Sequence, residues 1–574
     1  MQAIGGPFAG RRRMKTATLL LFSLSFVSLV HGVPEVEGQP SWPDTVRFLE
    51  QSTFGPTVPL ITNVQQAGFE AFLAEQLAAP MTGYPDLEFW PQNRPASCTG
   101  DCQRDNYTNY LLQRQFFLNA LNGQDQLRQR VAFALSQILV VSRVDVPLPS
   151  WMRSYQQLLH RSAFGNFRQL LYDVTLHPTM GRFLDMLNNR CQARTPPEPT
   201  VCRNGLRAQP NENYAREILQ LFSVGTFRLN PDGTRQLDGS GNPIPTYDQQ
   251  TVGEFSRVFT GWILAPALPG PSGIGGTVPN YRDPMRVRQD ALGREDYHDR
   301  GPKTLLGGFA LPGGQPQAEE LNAAIDSIAN HPNVAPFIGK QLIQHLVTSN
   351  PTPDYVGRVA LVFAAGRNSP TQLYDVVRAI LLDPEARGDL KDPASEPHYG
   401  KLREPVQFIT NILRAFSATS DGVLNSLSVG GSAIGSAEMG QDLFNPPSVF
   451  SFYPPTARVP GEGVLGPQFA LFSSLTSLRR ANFANRVIFS TIPAAAPNRP
   501  TGTSIDLAQW DALANDPEQL IASLSGLLLH GAMSTEMRDA IRAAVDSIPA
   551  SNSRARVRTA IYLIATSSQY QVQR

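Results

Sequence analysis

The chain has 574 residues and a formal net charge of +1, from 49 basic and 48 acidic residues. This length exceeds what one hydrophobic core usually organises, so two or three packed subdomains are expected, at about 42–205, 206–420 and 421–574. The near-neutral balance argues against a nucleic-acid partner, which would require a concentrated basic surface.

The N-terminal segment has the pattern of a signal peptide. Four basic residues precede an apolar run at 17–30, and small residues follow near Gly32. The run is shorter than the roughly 20 residues of a spanning helix, so we expect residues 1–32 to be removed on export, with a retained anchor as the alternative. A periplasmic or extracellular location, with no membrane span in the mature chain, is therefore predicted. The basic residues are Arg11, Arg12, Arg13 and Lys15.

Most of the remaining chain shows the 3.6-residue apolar period of amphipathic helices, and strand-like alternation is scarce. A mainly α, multihelical fold with a small β-hairpin and long Gly/Pro-rich loops is therefore predicted. The predicted helices are 44–52, 59–78, 106–122, 124–142, 150–161, 166–177, 180–187, 211–224, 248–262, 317–330, 333–347, 354–365, 372–382, 401–415, 516–530, 534–547 and 553–567, and residues 568–574 should form a docked end.

The four cysteines form two close pairs in sequence, Cys98 with Cys102 and Cys191 with Cys202. In an exported protein, two local disulfides are the first interpretation. Metal ligation is the weaker alternative, since a zinc site usually adds histidines at helical spacing.

Two non-helical segments surround the helix at 248–262, whose first turn Asp248 should cap. Residues 226–245 contain successive turns and favour a small hairpin over a calcium loop, because Pro243 stands where such a loop requires glycine. Residues 265–300 lack a convincing period, and a loop of this length favours a functional lid.

The stretch at 210–225 combines more charge with more apolar surface than any other segment, and it is the best candidate for a site. Pro210 and Gly225 are typical of the residues just before and just after a helix, so a helix is predicted at 211–224. Glu212 and Arg216 are spaced i,i+4, as are Asn213 and Glu217. The apolar face carries Tyr214, Ile218, Leu221 and Phe222.

Glu217 lies at the margin of this apolar face, where partial burial would raise its pKa unless cations or hydrogen bonds compensate. A raised pKa suits a general acid or base. The same position equally suits a structural ion pair.

The stretch Asn-Glu-Asn-Tyr-Ala-Arg-Glu at 211–217 resembles the signature of the bacterial family called domain of unknown function 1800. Further segments are similar to that family in the same order, from about Trp42 to the C-terminus. The resemblance implies a secreted, largely helical protein, but the family name does not specify an activity. The further segments are His-Pro-Thr-Met at 177–180, Thr-Gly-Trp at 260–262, His-Asp-Arg-Gly-Pro-Lys at 298–303 and Gly-Gln-Asp-Leu-Phe-Asn-Pro-Pro at 440–447.

The resemblance also implies a Trp-His-Asn-His-like run in the helix at 130–142, where this chain has no histidine. A metal site built on that run is therefore doubtful here, although Gln137 retains hydrogen-bonding capacity. Members are often encoded beside a second exported family, domain of unknown function 1501, which is the implied partner.

No Gly-x-Ser-x-Gly elbow, Walker loop, dinucleotide fingerprint or His-Glu-x-x-His motif is present. If the loop at 265–300 folds over the central helix, the polar residues of the matching segments converge and could hydrolyse or eliminate at a glycosidic, ester or peptide bond. The candidate catalytic residues are Glu217, Glu212, His298 and Asp299, and the candidate binding residues are Asn211, Asn213, Arg216, Lys303, His177 and Trp262.

The same residues also have structural interpretations. His177 could cap the preceding helix, Trp262 could belong to the core, and Lys303 could neutralise Asp299. A divalent metal held by histidine and carboxylate is a further alternative, and the sequence identifies no cofactor. Two functions remain open: a hydrolase or lyase acting on an envelope or extracellular polymer, or a non-catalytic binding or assembly protein working with another exported protein.

Overall fold

The computed structural model describes residues 39–90, 93–191, 210–270, 276–295, 297–388, 391 and 395–574. The predicted signal peptide and Cys202 lie outside these residues. The α-helices in the described part of the chain are α1 (Trp42–Ser52), α2 (Val58–Ala67), α3 (Phe69–Ala78), α4 (Asp101–Tyr107), α5 (Tyr110–Asn122), α6 (Gln126–Ile138), α7 (Pro149–Ser162), α8 (Phe167–Leu176), α9 (Pro178–Phe183), α10 (Asn213–Gln220), α11 (Gln249–Val258), α12 (Gln317–Ala329), α13 (Val334–Leu346), α14 (Pro353–Ala365), α15 (Gln372–Leu382), α16 (Pro405–Ala415), α17 (Ser474–Phe489), α18 (Ala508–Asp511), α19 (Pro517–Leu528), α20 (Thr535–Asp546), α21 (Ser553–Thr566) and α22 (Ser568–Gln571).

The strands are short and pair only in twos, so the predicted mainly α, multihelical class is confirmed. All six pairs are antiparallel. The paired strands are β1 (Trp262–Ile263) with β4 (Arg286–Val287), β2 (Leu268–Pro269) with β3 (Thr277–Val278), β5 (Lys303–Thr304) with β6 (Ala310–Leu311), β7 (Lys401–Leu402) with β12 (Val572–Gln573), β8 (Thr419–Ser420) with β11 (Thr503–Ser504), and β9 (Ser428–Val429) with β10 (Ser432–Ala433).

Several helix boundaries differ from the sequence prediction. The helix predicted at 59–78 breaks at Gly68, whose φ of 86° lies in the left-handed region that glycine tolerates. The helix predicted at 106–122 is instead α4 followed by α5. Residues 401–402 form β7, so α16 begins only at Pro405. The helix α17 was not predicted at all.

The turn chemistry was predicted more accurately. Asp248 caps α11 by accepting from the Thr251 N–H at 2.8 Å. Residues 226–245 form nested turns, with bridges between Phe227 and Pro245 and between Leu237 and Pro243. The Asp238 carboxylate accepts from backbone N–H groups of its own turn, which confirms the hairpin.

The segment at 265–300 is anchored rather than detached in its described parts. Tyr281 and Met285 are buried, and the Tyr281 ring lies 6.0 Å from that of Phe89 and 6.4 Å from that of Trp151. The Met285 N–H donates to Leu176 O at 2.7 Å. The segment therefore packs against α7 and the end of α8.

Residues Gln39–Arg574 form one compact unit with one continuous hydrophobic cluster that extends from Val46 to Tyr570. The three predicted subdomains thus share a core. No helix in the described part of the chain is both long and apolar enough to cross a membrane.

The disulfide Cys98–Cys102 is confirmed. Cys191 is buried and disulfide-bonded, while its predicted partner, Cys202, lies outside the described residues.

A buried carboxylate joins distant parts of this unit. Glu50 on α1 accepts from Arg403 at 2.6 Å and contacts His530 Nε2 at 2.7 Å, and all three side chains are almost fully buried. The Asn411 amide also donates to Glu50 at 2.9 Å. The Arg403 N–H in turn donates to Gln571 O beside the pair of β7 with β12, so the predicted docked end is confirmed.

We expect Glu50→Gln to lower the free energy of unfolding by about 3–5 kcal/mol, because it leaves the buried Arg403 without its counter-charge. Glu518→Gln is the matched control, since Glu518 forms an exposed pair with Arg542, and it should cost at most about 1 kcal/mol. Thermal and urea unfolding of both variants measure the difference. Equal losses in the two variants would contradict the assigned role of Glu50.

The contribution of Glu50 should also depend on pH. Burial would raise its pKa, but Arg403 and His530 outweigh burial and lower it from 4.5 to about 2. A folded-state pKa below the unfolded value means that the stabilisation is fully present above pH 4.5 and is lost as the pH falls towards 2. The difference in Tm between wild type and Glu50→Gln should therefore shrink over that range, and a constant difference would refute this account.

Candidate functional site

The central helix α10 is shorter than predicted, since regular helical structure covers Asn213–Gln220. Hydrogen bonds from the N–H groups of Val224 and Gly225 to Leu219 O close its C-terminal turn. Gly225 has φ 71°, and a Cβ there would lie 2.7 Å from the Phe337 ring. Glycine therefore ends the helix, as predicted, and also lets α13 approach it closely.

Glu212 and Arg216 form the predicted pair at 2.9 Å, on a partly exposed surface. Gln249 Nε2 also donates to Glu212 at 2.8 Å. Because exposed pairs contribute little to stability, this contact chiefly orients the two side chains.

Asn211 and Asn213 fix the start of the helix. The Asn213 amide donates to Asp185 at 2.8 Å rather than to Glu217, so the expected Asn213–Glu217 contact is replaced. The Asn211 backbone exchanges hydrogen bonds with the Asn189 side chain, at 2.9 and 3.2 Å. The signature residues therefore hold the helix to the chain segment that precedes it.

Glu217 is half-buried, and its Oε2 is buried without a hydrogen-bond partner in the described part of the chain. Burial raises the pKa of Glu217 and Arg216 only partly opposes the rise, which confirms the predicted direction. The nearby Tyr247 hydroxyl is also buried and has no hydrogen-bond partner among the described residues. Burial is the main cause that raises the pKa of Tyr247 to about 12. Glu217 is thus the predicted catalytic residue whose state best suits proton transfer.

His298, Asp299 and Lys303 have a different environment, because their side chains are fully buried. Glu320 on α12 contacts His298 Nε2 at 3.2 Å and accepts from Lys303 Nζ at 2.6 Å. Asp299 accepts from Arg257 on α11 at 2.9 Å. We call these five residues the buried ion network.

The charges in the buried ion network compensate one another. Burial would raise the pKa of Asp299, but Arg257, a backbone N–H and Lys303 lower it overall. Burial lowers the pKa of Lys303, and Glu320 only partly restores it. Neither Glu212 nor Glu217 is a hydrogen-bond or ion-pair partner of His298. The structure therefore gathers three of the predicted residues into a network that joins β5 to α11 and α12.

His177 is buried at the start of α9, where Nδ1 accepts from the Thr179 N–H at 3.2 Å. Its backbone N–H donates to Val174 O at 3.2 Å, so His177 caps the end of α8 as predicted, while its side chain also caps the start of α9. Burial is the largest cause that lowers the pKa of His177 to about 3. Nε2 lies 3.3 Å from Ser154 Oγ.

Trp262 is almost fully buried, as the core interpretation expected, yet it also lines a cavity of about 580 Å³ including its mouth. We call this the Trp262 cavity. It lies where the segments before α10, after α11 and before β5 meet, since Asn188 N–H donates to Trp262 O and Gly261 N–H donates to Asn189 O. Its polar and aromatic lining comprises Asn188, Asn189, Arg190, Trp262, Arg288 and Tyr297.

A second, narrow cavity of about 470 Å³ including its mouth lies between α6, α13 and the segment at 449–468. Leu221, which follows α10, also lines this cavity, which we call the polar cavity. Burial lowers the pKa of His345 to about 4, so its ring is neutral near neutral pH. Five buried lining residues each have a polar atom without a hydrogen-bond partner in the described part of the chain, namely Gln137, Gln341, His345, Ser451 and Tyr453.

Sequence analysis did not predict the polar cavity, although two signals were present. Gln137 occupies the helix where the family resemblance implies histidines. Ser451 closely follows the Pro-Pro segment that also resembles the family. No group of three or more His, Cys, Asp or Glu side chains suited to a metal ion occurs among the described residues.

The architecture defines a mainly α, multihelical protein with two cavities, one joined through Asn189 to the segment before the charged central helix and one lined by Leu221 after it. The family model described as protein of unknown function (DUF1800) matches residues 47–572. Because the match covers nearly the whole chain, the protein belongs to this family. The chain matches no curated protein and no solved structure.

We expect Lys303→Met to lower the free energy of unfolding by about 3–5 kcal/mol, because it leaves Glu320 buried with only His298 beside it. Arg294→Met is the control, since it breaks an exposed pair with Asp290 and should cost at most about 1 kcal/mol. Unfolding curves of the two variants test this difference. An unchanged Tm for Lys303→Met would show that the buried ion network does not stabilise the fold.

Proposed function

We propose that this chain is an exported hydrolase or lyase that acts on an envelope or extracellular polymer, with Glu217 as its acid–base group. The observation that carries the proposal is the half-buried Glu217 carboxylate, which combines a raised pKa with an unpaired buried oxygen. Export is supported by the basic and apolar pattern of residues 1–32.

The surroundings of Glu217 suit both reaction types. In hydrolysis, protonated Glu217 would give its proton to the leaving oxygen while water attacks the opposite side of the bond. In elimination, ionised Glu217 would accept a proton from carbon while the leaving group departs. Arg216 supplies positive charge next to this carboxylate, and Glu212 is held by Arg216 on the same helix.

His298 and Asp299 keep supporting roles in this proposal. Their side chains are enclosed by Glu320, Lys303 and Arg257, so they position the segment before β5. Asn211 and Asn213 position the first turn of α10 through Asp185 and Asn189. Direct contact with substrate is therefore assigned first to Glu217 and Arg216.

The second candidate function is a non-catalytic binding or assembly protein that works with another exported protein. Exposed apolar residues favour it: Phe472 just before α17, and Leu475 and Leu478 in its first two turns, recur every three residues and are 39%, 55% and 57% exposed. Such a patch is typical of a protein interface. The family resemblance makes a protein of the domain of unknown function 1501 type the proposed partner.

We expect Glu217→Gln to reduce polymer cleavage by about a hundredfold or more, because the amide cannot transfer the proton. Its Tm should stay equal or rise near neutral pH. The reason is that a carboxyl with a raised folded-state pKa destabilises the fold when ionised, and this gain should vanish in acid. A screen against envelope polysaccharides, peptides and esters, with melting curves, measures both effects.

Glu319→Gln is the matched control, since Glu319 is exposed on α12 and should change neither quantity. A fall in the Tm of Glu217→Gln, with no wild-type activity on any polymer, would refute the enzyme proposal. The assembly function would then be tested with the apolar residues of α17.

A further inference from the structure

The polar cavity contains buried hydrogen-bonding groups that have no partner among the described residues. They include both polar atoms of the Gln137 amide, Nε2 of Gln341, Nδ1 of His345 and Oγ of Ser451. These four residues are only 3% to 7% exposed. Because an unpaired buried polar group costs free energy, several of them around one cavity indicate partners that come from outside the chain.

Two other glutamines in the lining of the same cavity are bonded within the protein. Gln344 Nε2 donates to Ser349 O at 3.0 Å. Gln468 Nε2 donates to Gln344 O at 2.9 Å, and its Oε1 accepts from Ser349 Oγ at 2.6 Å. The fold therefore satisfies these two side chains and fixes this part of the wall, while Gln137 and Gln341 keep free amide groups.

Ser451 is held in the lining by an uncommon backbone conformation. Its φ of 61° lies in the left-handed region, which is unfavourable for a residue with a Cβ. The Ser451 N–H donates to Ser448 O at 3.0 Å, so a tight turn maintains this conformation. Phe450, in the same turn, also lines the cavity and is 39% exposed, which places an aromatic ring at the mouth.

The lining favours an uncharged occupant that carries hydroxyl groups. No described lining residue is acidic or basic, apart from His345, which is neutral near neutral pH because burial lowers its pKa to about 4. An ion would therefore enter without a counter-charge. Amide and serine hydroxyl groups both donate and accept, as sugar hydroxyls do. Phe337 and Phe450 add apolar surface for the carbon-bound hydrogens of a sugar ring.

The polar cavity is also connected to the end of the proposed catalytic helix. The N–H of Leu221, a lining residue, donates to Glu217 O at 2.9 Å. Phe337 lines the cavity and lies against Gly225, where a Cβ would be 2.7 Å from its ring. An occupant of the cavity would therefore contact the turn that follows Glu217.

We propose that the polar cavity binds one neutral sugar residue of the polymer substrate, with Gln137, Gln341 and Ser451 hydrogen-bonded to its hydroxyl groups. A volume of about 470 Å³ including the mouth suits a single residue. That the sugar belongs to the substrate rests on the proposed function, whereas the sugar site rests on the cavity alone. The inference narrows the substrate class to a polysaccharide with uncharged residues.

The test is calorimetric titration of the full mature protein with cellohexaose, maltohexaose and chitohexaose. Wild type should bind at least one of them, and added salt should not weaken the binding, because no charge takes part. The double variant Gln137→Leu with Gln341→Leu should bind about tenfold more weakly or worse, because it lacks both amides. Gln250→Leu is the control, since Gln250 is exposed on α11, and it should bind as wild type does.

Melting curves without sugar separate a ligand site from a structural one. Leucine is close to glutamine in size and needs no hydrogen-bond partner, so the Tm of the double variant should equal or exceed that of wild type. Gln344→Leu should lower the Tm, because it removes the bond to Ser349. A lower Tm for the double variant would mean that interior water or the protein already satisfies the two amides, and would overturn the inference.

Further outcomes decide between possible ligands. No hexasaccharide binding by wild type, or equal binding by the double variant, would overturn the inference. Binding of N-acetyl-tetra-alanine amide in place of every hexasaccharide would assign the cavity to a peptide and also overturn it.

Glu217→Gln should bind the hexasaccharide as wild type does, because Glu217 does not line the cavity. Hexasaccharide binding by a protein without any cleavage activity would reject the proposed function and keep the sugar site. Polymer cleavage that depends on Glu217, without hexasaccharide binding, would reject this inference and keep the proposed function.

Discussion

The interaction on which the structure most depends is the buried Glu50 carboxylate with Arg403 and His530. Removing an ion from water costs several kcal/mol unless a partner of opposite charge and further hydrogen bonds replace the water. Here the partners come from residues hundreds of positions apart. The first helix, the start of α16 and the turn after α19 therefore cannot separate without leaving a charge unpaired in the core, and the long chain behaves as one unit.

The same constraint explains the charged segment around β5. His298, Asp299 and Lys303 are enclosed by Glu320 and Arg257, so each ionisable group has a partner inside the protein. A charge-rich sequence signature can thus be needed for folding. Glu217 differs because its buried oxygen has no described partner, and such an atom is costly to retain. Glu320 also has one buried oxygen without a described partner, but its other oxygen contacts Lys303 and His298, so its charge is compensated inside the protein.

Local chemistry made part of the fold predictable. The Asp248 cap, the Gly225 end of α10 and the turn at Asp238 each involve residues a few positions apart. The helix break at Gly68 does not interrupt the apolar period of the sequence, so the pattern did not predict it. Helix α17 buries Arg480 and exposes Leu475 and Leu478, so its hydrophobic pattern does not follow its packing.

The contacts of the candidate site could not be predicted from the sequence, because the residues that contact one another are far apart in it. Glu320, which contacts both His298 and Lys303, belongs to a helix that showed no functional pattern. Asn189 of the Trp262 cavity is hydrogen-bonded to Asn211 just before α10, and Leu221 of the polar cavity follows α10, so each cavity adjoins a segment next to the helix rather than the helix itself. The Trp262 cavity has two arginines in its lining, whereas the polar cavity combines amide, hydroxyl and imidazole groups with apolar side chains. Glu217 lines neither cavity, so following the charged helix along the sequence does not lead to either of them.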